Sequence, residues 1–380
     1  MRVLLNAVAA KIGGAANYIR TLARELSYVD QHEFLFLVPE AEAPAINEIA
    51  PHIHAFSSNI AEQPFPRRLW FDQVELPRIL RREHIDVLFS TANFATFFCP
   101  CPQVLLVRNS LYFSSLYRSK ILPHKSWNSR ANEALRRWLV SRSAMASDVV
   151  LTPSQAMLDE LRAAIHLPGA FVNHYGVDCH RFRPMPKPFA EDGCVSLVFT
   201  SLYSEHKNVG TLFRALLELE ASGPKCRLIT TADPSWEKIE NDIRESDREL
   251  AYELKRRLLV ELTGVLAGSA LDQLYDKADI FVYPSVVESF GHPLLEAMAA
   301  GLPIVAADVP INRELCGDAA AYFSPFDHSE CACAIKKVAT DSHFRQQLAH
   351  KGIKRVEIFR WSEHVKNLVQ TLTRTVRKRS

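Results

Sequence analysis

The stretch that most constrains this chain is residues 279–308, DIFVYPSVVESFGHPLLEAMAAGLPIVAAD. Ile280 to Tyr283 is a short β-branched and aromatic run closed by Pro284, and Pro303 to Ala306 is a second apolar run. Both read as buried parallel strands. Between them one helix fits. Pro293 suits its first helical position, where a missing N–H costs nothing; Leu294, Leu295, Ala297 and Met298 supply a packing face, and Gly301 ends it. A strand-helix-strand unit of this kind commits its domain to a doubly wound parallel sheet.

Glu288 falls in the loop before that helix and Glu296 in its expected first turn, eight residues on, so both can face one cleft at the carboxyl ends of the strands. Gly291, without a Cβ, lets backbone approach a ligand where the helix start exposes unpaired N–H groups, a favourable place for phosphate. Carboxylates with no cation beside them in sequence suit hydroxyl-rich ligands, because each accepts several hydrogen bonds. As bare charges, the same two acids are better explained by the helix dipole, for Glu296, and by solvation, for Glu288.

The run Glu288-Ser289-Phe290-Gly291-His292-Pro293-Leu294-Leu295-Glu296 resembles the E-x7-E signature of retaining glycosyltransferases of family 4. PSVVESFG, LLEAMAAGLPIVAAD, Pro310, Glu314 and GDAAAYFSP extend the likeness. The resemblance implies an α/β protein of the GT-B fold: two doubly wound, Rossmann-like domains facing across a cleft, with a C-terminal helix crossing back to the first. It places an acceptor-side domain at 1–172, a nucleotide-sugar domain at 173–362 and the helix at 363–380. Carried onto this chain, it makes Glu288 and Lys207 catalytic. Glu296, Ser289, Phe290, Gly291, His292, Ser201 and Gly14 become donor-binding, and Gly13, Arg108 and Asn109 acceptor-side.

Length agrees, since 380 residues exceed what one core serves. Apolar content of 48% and charged content of 23% are those of a soluble globular chain, and a net charge of +2 gives no pull toward nucleic acid. No signal peptide is recognisable and eight cysteines are scattered, so free thiols and a cytoplasmic location, on the face of the membrane where acceptors are built, are expected. Cys99-Pro-Cys101 and Cys331-Ala-Cys333 are the close pairs, and neither completes a zinc set. Val87 to Val107 is uncharged, but Pro100, Pro102, Asn93 and Gln103 argue for strand, loop and strand over a membrane span.

In chain order, Met1 to Ala9 reads as a strand, Gly13-Gly14 as a turn, and Ile19, Leu22, Ala23 and Leu26 as one helix face. The G-x-G-x-x-G fingerprint is missing, while the Gly-Gly pair resembles the family's turn facing donor phosphates and acceptor. Further strands are expected at Phe34–Val38, Ile85–Phe89, Gln103–Val107 and Asp148–Leu151, the last closing the first sheet. Arg108-Asn109 stand where the family carries His-Asp. Arg118 to Arg142 holds seven basic residues, one Glu, Trp127 and Trp138. It reads either as an anionic-membrane surface or as a solvated helix with one buried side. Gly176-Val177-Asp178, Phe182 and Pro184, Pro186 and Pro188 resemble the family's hinge.

In the second half, strands are expected at Ser196–Ser201, Arg227–Thr231 and Leu258–Thr263, with Thr263 to Leu266 bordering the base. Lys207, in its His-Lys-Asn context, matches the family's diphosphate lysine; the companion Arg is replaced by Thr200-Ser201, with His206 nearby and Arg108 the candidate substitute. No Asp-x-Asp motif is present, so the expected enzyme needs neither metal nor cofactor. The resemblance then implies transfer of a hexose, mannose by the His-Lys-Asn context, from a nucleotide sugar to a glycan or lipid-linked acceptor with net retention. A phosphorylase or epimerase on the same frame, and a non-catalytic sugar-nucleotide binder, are the alternatives.

Overall fold

The computed structural model describes residues 1–10, 14–182, 184, 193–234, 244–266 and 268–379. Gly13, Pro186 and Pro188 lie outside the described residues. The chain forms two compact units, residues 1–113, 125–176 and 360–380 in the first and residues 114–124 and 177–359 in the second.

The first unit holds β1 (Arg2–Asn6), β2 (Glu33–Val38), β3 (Ile53–Ser57), β4 (Val87–Ser90), β5 (Gln103–Leu106), β6 (Val149–Thr152) and β7 (Ala170–Val172). They pair in the order β3-β2-β1-β4-β5-β6-β7, every pair parallel. Val3, Leu4, Leu5 and Val104, Leu105, Leu106 are buried as runs rather than alternately, as a sheet covered on both faces requires. Asp148–Leu151 therefore does not close the sheet: β7 adds an edge beyond it, and β3 an edge at the other side. Both are edge strands of weak pattern, Ile53-His-Ala-Phe-Ser57 and Ala170-Phe-Val172, half open to solvent.

The helix Trp361–Arg379 packs on β4, β5 and the helix Gly14–Leu26, burying Val365, Leu368 and Leu372. One polar chain fixes it. His364 lies 2.9 Å by Nδ1 from the His174 carbonyl and 3.1 Å by Nε2 from the Tyr18 hydroxyl. The carbonyl can only accept, so Nδ1 carries the proton and Nε2 accepts from Tyr18.

The second unit holds β8 (Val195–Phe199), β9 (Cys226–Thr230), β10 (Val260–Leu262), β11 (Ile280–Tyr283), β12 (Ile304–Ala307) and β13 (Ala320–Phe323). The order is β10-β9-β8-β11-β12-β13, again all parallel. β13 lies inside the family-like GDAAAYFSP run, where the small alanines hid a strand. In both sheets the order reverses beside the first strand: between β1 and β4, and between β8 and β11. A doubly wound sheet opens a crevice for ligands at that reversal.

Candidate functional site

The reversal in the second unit is where that unit's sequence-predicted residues Lys207 and Glu288 meet. β8 leads into the loop 200–208 and β11 into the loop 284–291, and side chains stitch the two together. Val286 N–H donates to the His206 carbonyl at 3.0 Å, Asn208 Nδ2 to the Pro284 carbonyl at 3.2 Å and Ser285 Oγ to the His206 carbonyl at 3.4 Å. Asn208 takes a left-handed φ of 54° at the start of the helix Val209–Ser222, a conformation asparagine tolerates better than most residues.

That stitching brings Lys207 Nζ to 2.6 Å from Glu288 Oε1. The same oxygen accepts from Tyr283 Oη and Ser285 Oγ, each at 2.6 Å. Burial alone would raise the Glu288 pKa, but the charges of Lys207 and His206, with hydrogen bonds from Lys207 and Ser285, outweigh it and hold the carboxyl below its ordinary range. Glu288 is thus an ionised, largely buried carboxylate on a well-fixed arm.

Glu296 is treated differently. The helix runs His292–Ala299, so Glu296 is its fifth residue, one turn in rather than in the first turn. Its Oε2 accepts from Tyr275 Oη at 2.9 Å, and that hydroxyl pairs with Thr200 Oγ1 at 2.9 Å. Arg181 Nη1 lies 3.6 Å from Oε1 and Arg181 also pairs with Asp272. Here burial wins over the Tyr275 hydrogen bond and the Arg181 charge, and the Glu296 pKa is raised. The Tyr275, Phe281 and Tyr283 rings, centroids 5.9 Å apart in succession, carry the two carboxylates' hydroxyl partners on one aromatic run.

The expectation of carboxylates without nearby cations is corrected: each has one, Lys207 for Glu288 and Arg181 for Glu296. Arg181 sits in the hinge-like run, where the Gly-Val-Asp, Phe182 and the prolines had drawn notice but Arg181 had not. The candidate substitute cation, Arg108, belongs to the first unit, where its guanidinium lies 6.0 Å from the Tyr18 ring centre.

Gly291 is needed for a reason other than ligand approach. Its φ of 97° is left-handed, and a Cβ there would stand 3.2 Å from Leu315 Cδ1 and 3.6 Å from the Tyr283 hydroxyl, toward the protein interior. Phe290 is 1% exposed and packs edge-on to His292 and Phe359, so its side chain anchors the loop and offers a ligand only backbone. Ser289 and His292 flank that backbone, partly exposed. Ser201 lies on the neighbouring loop, its N–H donating to Thr231 Oγ1 at 2.8 Å.

In the first unit Gly14 is the first residue of its helix, and a Cβ there would meet open space. Asn109 caps the short turn Ser110–Tyr112, accepting from Leu111 N–H. Arg108 and Asn109 are both held by Asn93, whose Oδ1 accepts their backbone N–H groups at 2.8 and 3.0 Å. Sequence reasoning used Asn93 only against a membrane span. No helix among the described residues is long and apolar enough to cross a membrane, and 87–107 is strand, loop and strand.

Elsewhere in the second unit a groove of about 660 Å³ is lined by Lys120, His124, Arg244, Pro325 and Phe326. It does not include Lys207, Glu288 or Glu296, although Arg244 Nε reaches within 3.8 Å of Glu205, two residues before Lys207.

Comparison with known proteins follows this geometry. Residues 12–181 match the family model described as Glycosyltransferase Family 4 and residues 186–355 the model described as Glycosyl transferases group 1. An uncharacterized glycosyltransferase of Methanocaldococcus jannaschii is 34% identical over 134 residues, covering 34% of each chain. The O-antigen chain mannosyltransferase B of Escherichia coli is 30% identical over 129 residues, 34% of this chain and 31% of that one. These matches thus span about a third of the relatives' length. Among solved structures, a sucrose-phosphate synthase from Thermosynechococcus elongatus superposes with a TM-score of 0.74 at 18% identity, covering 100% of both chains. Anabaena HepE in complex with UDP-glucose gives 0.73 at 19%, covering 98% of this chain and 99% of that one. The fold is GT-B.

Proposed function

The chain belongs to glycosyltransferase family 4, and from that premise we propose that it moves a hexose, with mannose the leading candidate, from a nucleoside diphosphate sugar to a hydroxyl of a growing glycan or lipid-linked acceptor. The proposal includes retention at the anomeric carbon and no metal clamp. The observation that carries it is the Lys207–Glu288 pair at the sheet reversal, beside the amides that open the helix at His292.

The pair is charge-neutral while the site is empty. A donor diphosphate offers Lys207 a stronger partner, and its charge suits the positive end of the dipole of the helix that opens at His292. Glu288, held by Tyr283 and Ser285, is then free to accept hydroxyls of the donor sugar, and Glu296 those of the ribose. Departure of the diphosphate places negative charge where Lys207 and the positive end of the helix dipole already stand, which lowers the barrier. The leaving oxygen takes the acceptor's proton on the face from which it departs, giving retention. The mannose preference rests on the mannosyltransferase relatives.

Acceptors of this kind sit at a membrane, and the helix Trp127–Ala146 supports that location. Trp127, Trp138 and Met145, at spacings of eleven and seven residues, are whole turns apart, and all three are exposed, at 77%, 58% and 48%. Arg130 and Arg142, also exposed, flank them. Tryptophan at the headgroup level beside arginine is the chemistry of an anionic membrane surface.

Two measurements test the reading. Thermal shifts with UDP-, GDP-, ADP- and dTDP-sugars should single out one base, because a ligand bound only by the folded chain raises its melting temperature. Transfer from that donor to lipid-linked oligosaccharide should fall by about 10²–10³-fold in Glu288→Gln while donor binding survives. Donor binding without transfer in the native chain rejects the enzyme and leaves a binder. For the membrane, flotation with anionic vesicles should be lost on Trp127→Ser with Trp138→Ser; unchanged flotation rejects that surface.

A further inference from the structure

The loop between β4 and β5 carries Cys99-Pro100-Cys101, which the transferase reading leaves unused. The two sulfurs lie 3.9 Å apart in hydrogen-bonding contact. Six other free cysteines are spread over the chain, and the buried ones, Cys226, Cys316 and Cys331, are pushed up by burial, the first two to about 12. Such thiols are inert. Cys99 alone among these moves the other way. The hydrogen bond donated by Cys101 holds it below the ordinary thiol range against burial, and the charge of Arg379 helps. Cys101 moves up correspondingly, because it keeps the shared proton and is itself buried. The more readily ionised sulfur, partly open to solvent, therefore sits beside one that holds its proton more tightly.

We propose that Cys99-Pro100-Cys101 is an oxidisable dithiol that closes to an intrachain disulfide. A peroxide is the oxidant. The Cys99 thiolate attacks one peroxide oxygen, the O–O bond breaks, hydroxide leaves and is protonated to water, and Cys99 becomes a sulfenic acid. The Cys101 sulfur then attacks the Cys99 sulfur; the S–S bond forms, the S–O bond breaks, and the Cys101 proton departs with the hydroxyl as a second water. Two thiols lose two electrons and one peroxide gains them.

The geometry permits closure. A disulfide needs Cα atoms about 4.4–6.8 Å apart, and residues two apart cannot exceed roughly 7 Å even when extended. Here the chain bends at Pro100 and Cys101, which shortens that span, and Pro100 restricts the alternatives. Closing the sulfurs to about 2.05 Å is then largely side-chain rotation. Closure has a readable consequence in the same unit. The Cys101 carbonyl accepts from Arg379 Nη1 at 2.9 Å, and the same nitrogen lies 3.4 Å from Asp148 Oδ2, which accepts from Gln103 N–H at 2.8 Å. Turning Cys101 disturbs the anchor of the last helical turn.

The test uses the reduced full-length chain, a small molar excess of hydrogen peroxide, alkylation and trypsin. The peptide from Glu83 to Arg108 contains both cysteines and no internal Lys or Arg. It should resist alkylation, weigh two hydrogens less than its reduced form, and return to alkylable thiols with dithiothreitol, ahead of every other cysteine. Hydrogen exchange at the end of the helix Trp361–Arg379 should rise on oxidation. Arg379→Gln should slow alkylation of Cys99 severalfold, since the thiolate is the reactive form. A peptide that still alkylates at both sites, gains oxygen, or pairs with another cysteine overturns the proposal; so does an Arg379→Gln chain whose Cys99 reacts as fast as the native one.

Discussion

At the reversal of the second sheet, between β8 and β11, Lys207 and Glu288 meet at 2.6 Å. At the matching reversal of the first, between β1 and β4, Asn6 and Ser90 stand opposite each other across the strands, and the neighbouring carboxylate is Asp72, which accepts from Asn6 Nδ2 at 3.2 Å. No cation hydrogen-bonds Asp72 among the described residues. Burial pushes its carboxyl up to about 6, with Asn6 and the charge of Arg68 opposing too weakly to prevent it. Asn6 Oδ1 and Ser90 Oγ are buried with no hydrogen-bond partner. The two crevices share a backbone plan and differ in charge. One carboxylate is kept ionised by a cationic partner. The other has no such partner and takes up a proton near pH 6.

The largest effect should come from breaking the charged crevice. Lys207→Met is expected to lower kcat/KM by about 10²–10³-fold, the loss typical of removing one preorganised group facing developing charge. Glu288→Gln should cost a similar factor, and the double variant little more than either single, because the two groups act as a unit. Steady-state transfer assays on all three variants decide it; multiplicative losses would show that the pair works as two independent groups.

Asp72→Asn sharpens the contrast through stability. Its folded pKa of about 6 lies above the unfolded value, so the folded state binds the extra proton between roughly pH 4 and 6 and stability falls as pH rises through that window. The amide removes that penalty. Above pH 6 the variant should be more stable than the native chain by about 1–3 kcal/mol, discounted for the partial exposure of Asp72, and no more stable near pH 4. Glu288→Gln should behave oppositely. With a folded pKa below the unfolded one, the native carboxylate stabilises above the unfolded value and loses this as pH falls through the folded one. Denaturant midpoints at both pH values check the two signs together.

How far the sequence spoke follows the same divide. Local periodicity and the Pro293 and Gly301 signals were enough for β11, β12 and the helix between them, and the family-like spacing placed Glu288 and Glu296 on one site. What it did not carry is convergence across long separations. Lys207 and Glu288 are 81 residues apart, and nothing in either segment announces the 2.6 Å contact. Arg181 reaches Glu296 from a hinge whose residues look like linker, and Tyr275 and Tyr283 read as core aromatics until their hydroxyls are seen on the two carboxylates. Of the missed strands, β3 and β7 are edges where half-exposure blurs the apolar run that marks a buried strand, while β13, a mostly buried edge, was hidden by its small alanines. Asp72 had no signal at all, since only burial distinguishes it from a surface acid.

The smallest effect separates two asparagines that serve the two crevices alike. Asn93 and Asn208 both hold left-handed backbone, at φ 65° and 54°. Asn93 Oδ1 takes the N–H groups of Arg108 and Asn109, whereas Asn208 donates to the Pro284 carbonyl and accepts from Thr211. Glycine tolerates the same φ, so Asn93→Gly and Asn208→Gly remove the side chain without adding strain. Each should cost about 1 kcal/mol, with Asn93→Gly the larger because it strands two N–H donors while a carbonyl keeps a second lone pair. Kinetics then tell the crevices apart. Asn208→Gly loosens the loop holding Lys207 and should raise KM for the donor alone; Asn93→Gly loosens Arg108-Asn109 and should raise KM for the acceptor alone. If both variants move the same KM, the two crevices do not divide donor from acceptor, and their contrast is one of stability only.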